Sequence, residues 1–238
     1  MSIDLIGVSH SRPAKSGKRI EFRDLNMHIE GRQRVALLGT RAGGLDELLN
    51  IICGAVVPAR GNVVITSEIS WPIGEMGFLA SDSSLVTNLR FVSRIYEIDE
   101  DEYRARMTEV GELGEVWNET FGTCSREIKW RYAFALGVCL PFDIYIFDSL
   151  QPLDKDYREK SQAIVEQLGN ECGILLATGD GDIARQFCDR AFVLDDGKAT
   201  YYEDMEAAVA HFDDIEEQVV VFEDEGNEGG PEFNIIEG

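Results

Sequence analysis

The feature that most constrains the fold is a series of short, almost uninterrupted apolar segments separated by helical sequence. Strands with apolar residues at consecutive positions are buried on both faces, as in a parallel sheet covered by helices. The sequence therefore predicts an α/β fold with a mostly parallel sheet. The predicted strands are RVALLG (34–39), NVVIT (62–66), DIYIFDS (143–149), GILLAT (173–178) and RAFVLDDG (190–197).

The strand pattern stops between about residues 80 and 140, where apolar residues recur at helical spacing. We predict a helical subdomain over 80–140, inserted into an α/β core made of 1–79 and 141–212. The early segment LNMHIEGRQRVALLG alternates and turns at Glu30-Gly31, which predicts an antiparallel hairpin and hence an antiparallel β part of the core. The predicted helices are RARMTEVGELGEVWNE, the run from Arg126 to Leu140, and KDYREKSQAIVEQLG.

The charge distribution excludes one class of partner and predicts a tail. The 238-residue chain has a net charge of -22, which argues against nucleic acid, since phosphate backbones are bound by clustered Lys and Arg. From Asp213 onward it has ten acidic residues and no Lys or Arg. We predict a disordered, solvated tail over 213–238. The alternative is that its apolar cluster VVVF (219–222) adds a strand or docks on a partner.

The cysteine pattern predicts reduced thiols, and the rest of the sequence agrees with a protein of a reducing compartment. The five cysteines include no C-x-x-C pair, and the three histidines lie far apart in sequence, so we expect no metal site. No apolar run reaches 18 residues, and no basic segment followed by an apolar one opens the chain. We expect a cytoplasmic protein.

A glycine-rich segment, GTRAGGLD, follows the first apolar strand and precedes a helix. Its layout is that of a phosphate-binding loop, G-x-x-x-x-G-K-[ST], formed here by Gly39, Thr40, Arg41, Ala42, Gly43 and Gly44. Leu45 and Asp46 stand where the lysine and hydroxyl residue belong. Leucine cannot neutralise phosphate, and a carboxylate about 4 Å from a like charge costs roughly 4 kcal/mol at an effective dielectric near 20. We predict that triphosphate does not bind in the usual mode and that Asp46 substitutes for the ligand at the helix N-terminus.

The order of several further segments is informative. FRDLNMHIEGRQRVALLG, ISWPIG, NLRFVSRIY, FDIYIFDS and QFCDRAFVLDDGK follow one another along the chain. Over about Leu5 to Phe212 this order resembles the nucleotide-binding subunits of ABC transporters, in particular the ATPase subunits of capsular-polysaccharide and O-antigen exporters. The resemblance implies a P-loop NTPase-like ABC ATPase domain with a mostly parallel sheet, an antiparallel β subdomain and a helical subdomain.

The resemblance also shows which functional positions of that family are altered here. Asp148 matches the family's Mg²⁺-associated aspartate, but Ser149 stands at the catalytic glutamate and Gly179 at the switch histidine. The signature sequence aligns with Ser125, Arg126 and Glu127, where Glu127 replaces a glycine that approaches the γ-phosphate. The Mg²⁺-sensing glutamine aligns with Ala80 and the adenine-stacking aromatic with His10, which as an ordinary histidine we expect to be exposed. Asp148 and Asp154 remain of the set.

Three functions are open at this point. The main prediction is a catalytically inactive ABC-ATPase-like subunit or regulator of polysaccharide export, with no catalytic residues and no cofactor, peripheral at the inner face of the membrane. One alternative is a working ATP-binding subunit, using ATP and Mg²⁺, in which Arg41 reaches the phosphates. Another is a scaffold that reuses the fold outside a transporter. Expected partners are a transmembrane permease or another polysaccharide export protein, with a homo- or heterodimer also open. Trp71, Pro72, Arg90 and Arg94 are candidate contacts with the partner.

Overall fold

A five-stranded sheet forms the centre of the protein in the computed structural model, which describes residues 1–13, 19–150 and 155–225. The strands are β1 (Ser2–Pro13), β2 (Arg19–Glu30), β3 (Arg34–Leu38), β4 (Arg60–Ile65), β5 (Ile144–Asp148), β6 (Gly173–Thr178), β7 (Arg190–Asp195) and β8 (Lys198–Tyr202). The helices are α1 (Leu45–Ile52), α2 (Leu85–Ile95), α3 (Glu100–Gly111), α4 (Arg126–Val138), α5 (Lys155–Glu171), α6 (Gly181–Phe187) and α7 (Met205–Glu225).

The central sheet has the strand order β5-β6-β3-β7-β8, and its first four strands are parallel. Only β8 is antiparallel, paired with β7. All six residues of β6 are buried, and neighbouring residues of β3 enter different apolar clusters: Val35 and Leu37 on one face, Ala36 and Leu38 on the other. The prediction of a mostly parallel sheet covered on both faces is confirmed.

A second sheet, of three antiparallel strands in the order β2-β1-β4, lies beside the first. The predicted hairpin across Glu30-Gly31 is wrong, because β2 pairs with β1 whereas β3 pairs in parallel with β6 and β7. Burial explains the difference. Alternate residues of β2 such as Met27 and Ile29 are buried, as in a strand with one covered face, whereas β3 is buried continuously over 35–38.

The region 80–140 is helical, with α2, α3 and α4 and two short 3₁₀ turns before α4. The helix predicted over 104–119 begins earlier, at Glu100, and ends at Gly111, whereas α4 agrees with the run predicted from Arg126. Each helix begins at a polar residue whose side chain accepts a backbone N–H: Ser84, Asp99 and Ser125. Their contact region is filled by fully buried side chains such as Tyr103, Met107 and Tyr132.

The C-terminal part differs from the prediction. Residues 213–225 continue α7, which begins at Met205, rather than forming a disordered tail or a strand at 219–222. Ala208, Val209 and Phe212 are buried at helical spacing and anchor the helix on the core. The abundant acidic residues hid this period. Residues 226–238, the last part of the predicted tail, lie outside the described residues.

Candidate functional site

Three of the aligned positions meet at one edge of the central sheet. Gly39, Ser149 and Gly179 follow the carboxyl ends of β3, β5 and β6, which is where ligands bind in open α/β sheets. The Gly39 amide donates to the Thr178 carbonyl at 3.3 Å, and a Cβ on Gly179 would lie 3.3 Å from the Gly39 oxygen. Ser149 has a left-handed backbone, with φ 66°, and its amide donates to the Ala177 carbonyl at 3.0 Å.

The loop from Gly39 to Gly44 is folded onto itself. The Gly43 amide donates to the Thr40 hydroxyl at 2.9 Å, and the Gly44 amide to the Arg41 carbonyl at 3.2 Å. The Leu45 amide donates to the Thr40 carbonyl at 3.2 Å. Gly44, at φ 97°, takes a left-handed conformation that strongly favours glycine. Three amides at the start of α1, the groups that bind phosphate in a phosphate loop, therefore already have acceptors within the loop.

Leu45 and Asp46, at the positions of the family's lysine and hydroxyl residue, lie in different environments. Leu45 is 4% exposed and packs in the apolar cluster between α1 and the two sheets. Asp46 lies in the first turn of α1, and its Oδ2 accepts a hydrogen bond from Nη1 of Arg41 at 3.0 Å. That Asp46 substitutes for the ligand at this end of the helix stays a prediction.

Arg41 connects the loop to the end of β5. Its Nη2 lies 3.7 Å from Oδ1 of Asp148, so one guanidinium stands between two carboxylates, Asp46 and Asp148. Burial raises the pKa of Asp148; the Arg41 charge opposes this, while Asp46 and Glu75 add to it. Burial is thus the main cause of the raised pKa of Asp148, and Arg41 is the neighbouring charge that acts on it most strongly.

A buried carboxylate beneath the loop was missed by the sequence analysis. Glu47 is 1% exposed, with Nε2 of His10 at 2.9 Å and Nε of Arg12 at 2.7 Å, although neither contact is aligned as a hydrogen bond. The His10 side chain is 14% exposed, so the prediction of an exposed histidine is wrong. The available signal was helical spacing, since Glu47 shares a face with Ile51, which is also buried.

The remaining aligned positions lie elsewhere. Ser125 is the N-cap of α4, with Arg126 and Glu127 in the first turn. The turn before α4 is joined to the segment before α2, because the amides of Gly122 and Phe121 donate to the carbonyls of Ser81 and Ser83. None of these residues lines the depression that contains Arg41, Asp46 and Asp148. Ala80 exchanges hydrogen bonds with the Asn88 side chain. Asp154 lies outside the described residues.

Two adjoining depressions surround the SWP tripeptide. The acidic cleft, of about 460 Å³, contains Asp46, Glu75 and Asp148 with Arg41, and is walled by Trp71 and Tyr96. The aromatic groove, of about 170 Å³, is lined by Trp71, Phe78, Phe91, Val92, Ile95 and Tyr96. Of the candidate partner contacts, Trp71 and Pro72 line the cleft, whereas Arg90 is engaged by both Glu100 carboxylate oxygens at 2.8 Å.

The described part of the chain has neither a cluster of metal ligands nor a membrane-spanning helix. No group of three or more His, Cys, Asp or Glu side chains there is arranged to hold a metal ion. No helix among the same residues is long and apolar enough to cross a membrane.

The sheet topology and the loop after β3 define the class of fold, that of an ABC transporter ATP-binding cassette. A solved structure described as the ATP-binding subunit of an ABC transporter superposes with a TM-score of 0.72 at 19% identity, covering 85% of this chain and 90% of that one. A dimeric ATP-binding cassette, MJ0796, bound to ADP and Pi also gives a TM-score of 0.72 at 19% identity, over 84% of this chain and 97% of its own. The predicted fold class is confirmed.

Sequence comparison adds particular relatives. The chain is 29% identical over 209 residues to the capsule polysaccharide export ATP-binding protein CtrD of Neisseria meningitidis serogroup B, covering 87% of this chain and 97% of that protein. It is 28% identical to the ATP-binding protein BexA of Haemophilus influenzae (84% and 93% covered) and 26% identical to the polysialic acid transport ATP-binding protein KpsT of Escherichia coli (88% and 98%). No protein-family model matches. The chain is thus similar to ATP-binding proteins of polysaccharide exporters, as its sequence motifs indicate.

Proposed function

We propose that this chain is an ABC-ATPase-like subunit or regulator of a polysaccharide export system that acts through protein contacts and does not hydrolyse ATP. The observation that carries the proposal is the self-contained loop at the start of α1. Its amides bond within the loop, Leu45 is buried where the family has lysine, and Arg41 is held by Asp46 and Asp148.

Mg-ATP does not fit these residues. A triphosphate needs free amide donors and a cation at the loop, and here those amides bond to Thr40 and Arg41. The Asp46 carboxylate adds a negative charge at the place where phosphate oxygens would lie. Binding would require the loop to refold and Arg41 to leave both carboxylates. No cofactor is therefore part of the proposed function.

The residues that would support hydrolysis are also replaced. Ser149 cannot serve as a carboxylate base, and Gly179 has no side chain to offer. Glu127, in the first turn of α4, adds bulk and charge to the signature. Both halves of a nucleotide site shared between two subunits are altered, so pairing with an intact subunit would not create a site with all the family's residues.

The names of the relatives and the exposed aromatic groove support the transport context. CtrD and KpsT are described as polysaccharide export and transport proteins, and the chain covers 97% and 98% of their lengths. Phe91 and Ile95, on one face of α2, are 54% and 58% exposed. Clustered exposed apolar residues of this kind mark protein contacts. We assign this surface to a transmembrane permease, which places the chain at the inner face of the membrane, alone or as a homo- or heterodimer.

A second candidate is an ATP-binding subunit of a polysaccharide exporter. It is favoured by the relatives' names, each of which includes ATP binding. In this case Arg41 supplies the cation that Leu45 lacks, after breaking its contacts with Asp46 and Asp148.

Calorimetry and thermal shift with Mg-ATP distinguish the two candidates. The proteins are the wild type, the double variant Leu45→Lys/Asp46→Ser, and Asp101→Ser as a control for the loss of an exposed acid on α3. Ligand at 100 times Kd stabilises a protein by about 2.7 kcal/mol, so binding is readily detected. We expect no response from the wild type or the control, and a response from the double variant. Saturable wild-type binding that is lost in Arg41→Ala would establish the second candidate instead.

A further inference from the structure

We propose that the acidic cleft receives a basic side chain of a partner helix whose apolar side chains fill the adjoining aromatic groove. The inference rests on the proposed function and specifies the chemistry of the partner. It is carried by the continuity of the two depressions and by the balance of charge in the cleft.

The two depressions form one surface because Trp71 and Tyr96 line both. Their ring centroids lie 6.0 Å apart, and Trp71 meets the edge of Phe78 at 5.3 Å. The groove side is apolar, with Phe78 43% and Phe91 54% exposed. A helix presents residues three or four positions apart on one face. One partner helix can therefore place apolar residues in the groove and a longer side chain, one turn away, in the cleft.

The charge of the cleft determines the sign of that side chain. Asp46, Glu75 and Asp148 face the single cation of Arg41. Glu75 is held in place, since its Oε1 accepts from the amides of Met76 at 2.9 Å and Gly77 at 2.6 Å. Three carboxylates and one guanidinium leave an excess of negative charge, which attracts a Lys or Arg and repels an acid.

The arrangement connects the partner to the loop. A basic side chain near Asp148 competes with Arg41, whose Nη2 is 3.7 Å away from that carboxylate at present. When the partner docks, Arg41 loses its contact with Asp148 and keeps only its ion pair with Asp46, at 3.0 Å. The partner thus binds to the same carboxylates, Asp46 and Asp148, that form ion pairs with Arg41 of the loop.

Three designed amphipathic helical peptides test the inference. They share one apolar face and differ at a single position one turn away, which is Arg, Gln or Glu. Binding to the full chain is measured by calorimetry. We expect the order Arg, Gln, Glu, with the Arg peptide at least about tenfold tighter than the Glu peptide, a difference of about 1.4 kcal/mol. Equal affinities, the reverse order, or no saturable binding by any of the three would overturn the inference.

Variants locate the effect. Asp46→Asn/Glu75→Gln should remove most of the difference between the Arg and Glu peptides, whereas Asp101→Asn/Glu102→Gln makes the same charge change on α3, outside both depressions, and should preserve it. Phe91→Ala should weaken the binding of all three peptides by a similar factor. Loss of discrimination in the α3 control would contradict the assignment to the cleft. The Mg-ATP measurement is separate: wild-type ATP binding with intact peptide discrimination would refute the proposed function and leave the docking chemistry standing.

Discussion

The loop at the start of α1 and the aromatic groove beside α2 contrast in how their chemical groups are satisfied. In the loop, amides, a guanidinium and carboxylates all find partners within a few residues or across the sheet edge. In the groove, large apolar side chains such as Phe91 and Ile95 remain more than half exposed. Polar groups that already have hydrogen-bond and ion-pair partners gain little free energy from binding a ligand. Exposed apolar area, by contrast, is stabilised when a partner covers it. The contrast supports the proposal that the groove is the surface that a partner covers.

The largest expected effect lies beneath the loop, where Glu47 is buried against His10 and Arg12. In His10→Ala/Arg12→Ala the carboxylate loses both partners, and an uncompensated buried charge costs about 3–5 kcal/mol of folding stability. Urea unfolding measures the loss. Adding Glu47→Leu should recover much of it, because the buried charge is then gone. A double variant as stable as the wild type would show that the pairing does not support the loop.

A smaller effect is expected within the loop itself. Thr40→Val keeps the side-chain shape but removes the hydroxyl that accepts the Gly43 amide. The loss of one intramolecular hydrogen bond costs about 0.5–1.5 kcal/mol. Hydrogen exchange should show faster exchange at Gly43. Unchanged protection of that amide would mean that the loop is not closed by Thr40.

The exposed ion pairs of Arg41 contribute less. Its side chain is 71% exposed, and pairs of this kind are worth roughly 0.2–1 kcal/mol. Arg41→Gln should nevertheless raise the pKa of Asp148 further, since the opposing charge is lost, whereas Asp46→Asn should lower it. Carboxyl NMR titration gives the two shifts. A lowered pKa of Asp148 in Arg41→Gln, or a raised one in Asp46→Asn, would contradict the charges described for the cleft.

The pKa of Asp148 also fixes the direction of a pH dependence. The folded state holds this proton more tightly than the unfolded state, so the contribution of Asp148 to stability falls as pH rises from the ordinary value of 3.8 through its raised folded pKa. In Arg41→Gln the fall should extend to higher pH. Unfolding measured across this range checks the sign.

The smallest stability effect is expected in the groove. Phe91→Gln/Ile95→Gln alters side chains that are 54% and 58% exposed, and surface changes of this kind stay within about 0.5 kcal/mol. Binding of the designed peptides should fall sharply in the same variant. A loss of stability as large as that expected at Glu47 would show that these residues belong to the core and not to a docking surface.

Much of the fold was readable from the sequence because buried parallel strands and capped helices leave local patterns. β6 and α4 were predicted within a residue or two of their observed bounds. The hairpin at Glu30-Gly31 failed because alternation and apolar content do not say which sheet a strand joins. The end of α7 failed because acidic composition outweighed the spacing of Val209 and Phe212.

The sequence predicted which residues belong to the site but not which side chains contact one another there. The sequence located the glycine loop, Leu45, Asp46 and Asp148, since these depend on the order of residues along the chain. It did not reveal that Arg41 bridges to Asp148, over a hundred positions away, or that Glu47 is buried. The Arg41–Asp148 pairing depends on the approach of separate elements in three dimensions, for which one sequence contains no local signal, whereas the burial of Glu47 had left a signal in its helical spacing.

The left-handed backbone of Ser149, at φ 66°, is a conformation that costs of order 1–3 kcal/mol for residues other than glycine. Replacing Ser149 by glutamate would leave that cost unchanged, because serine already bears it. The end of β5 therefore stores backbone strain at the sheet edge, and the surrounding structure holds the strain in place.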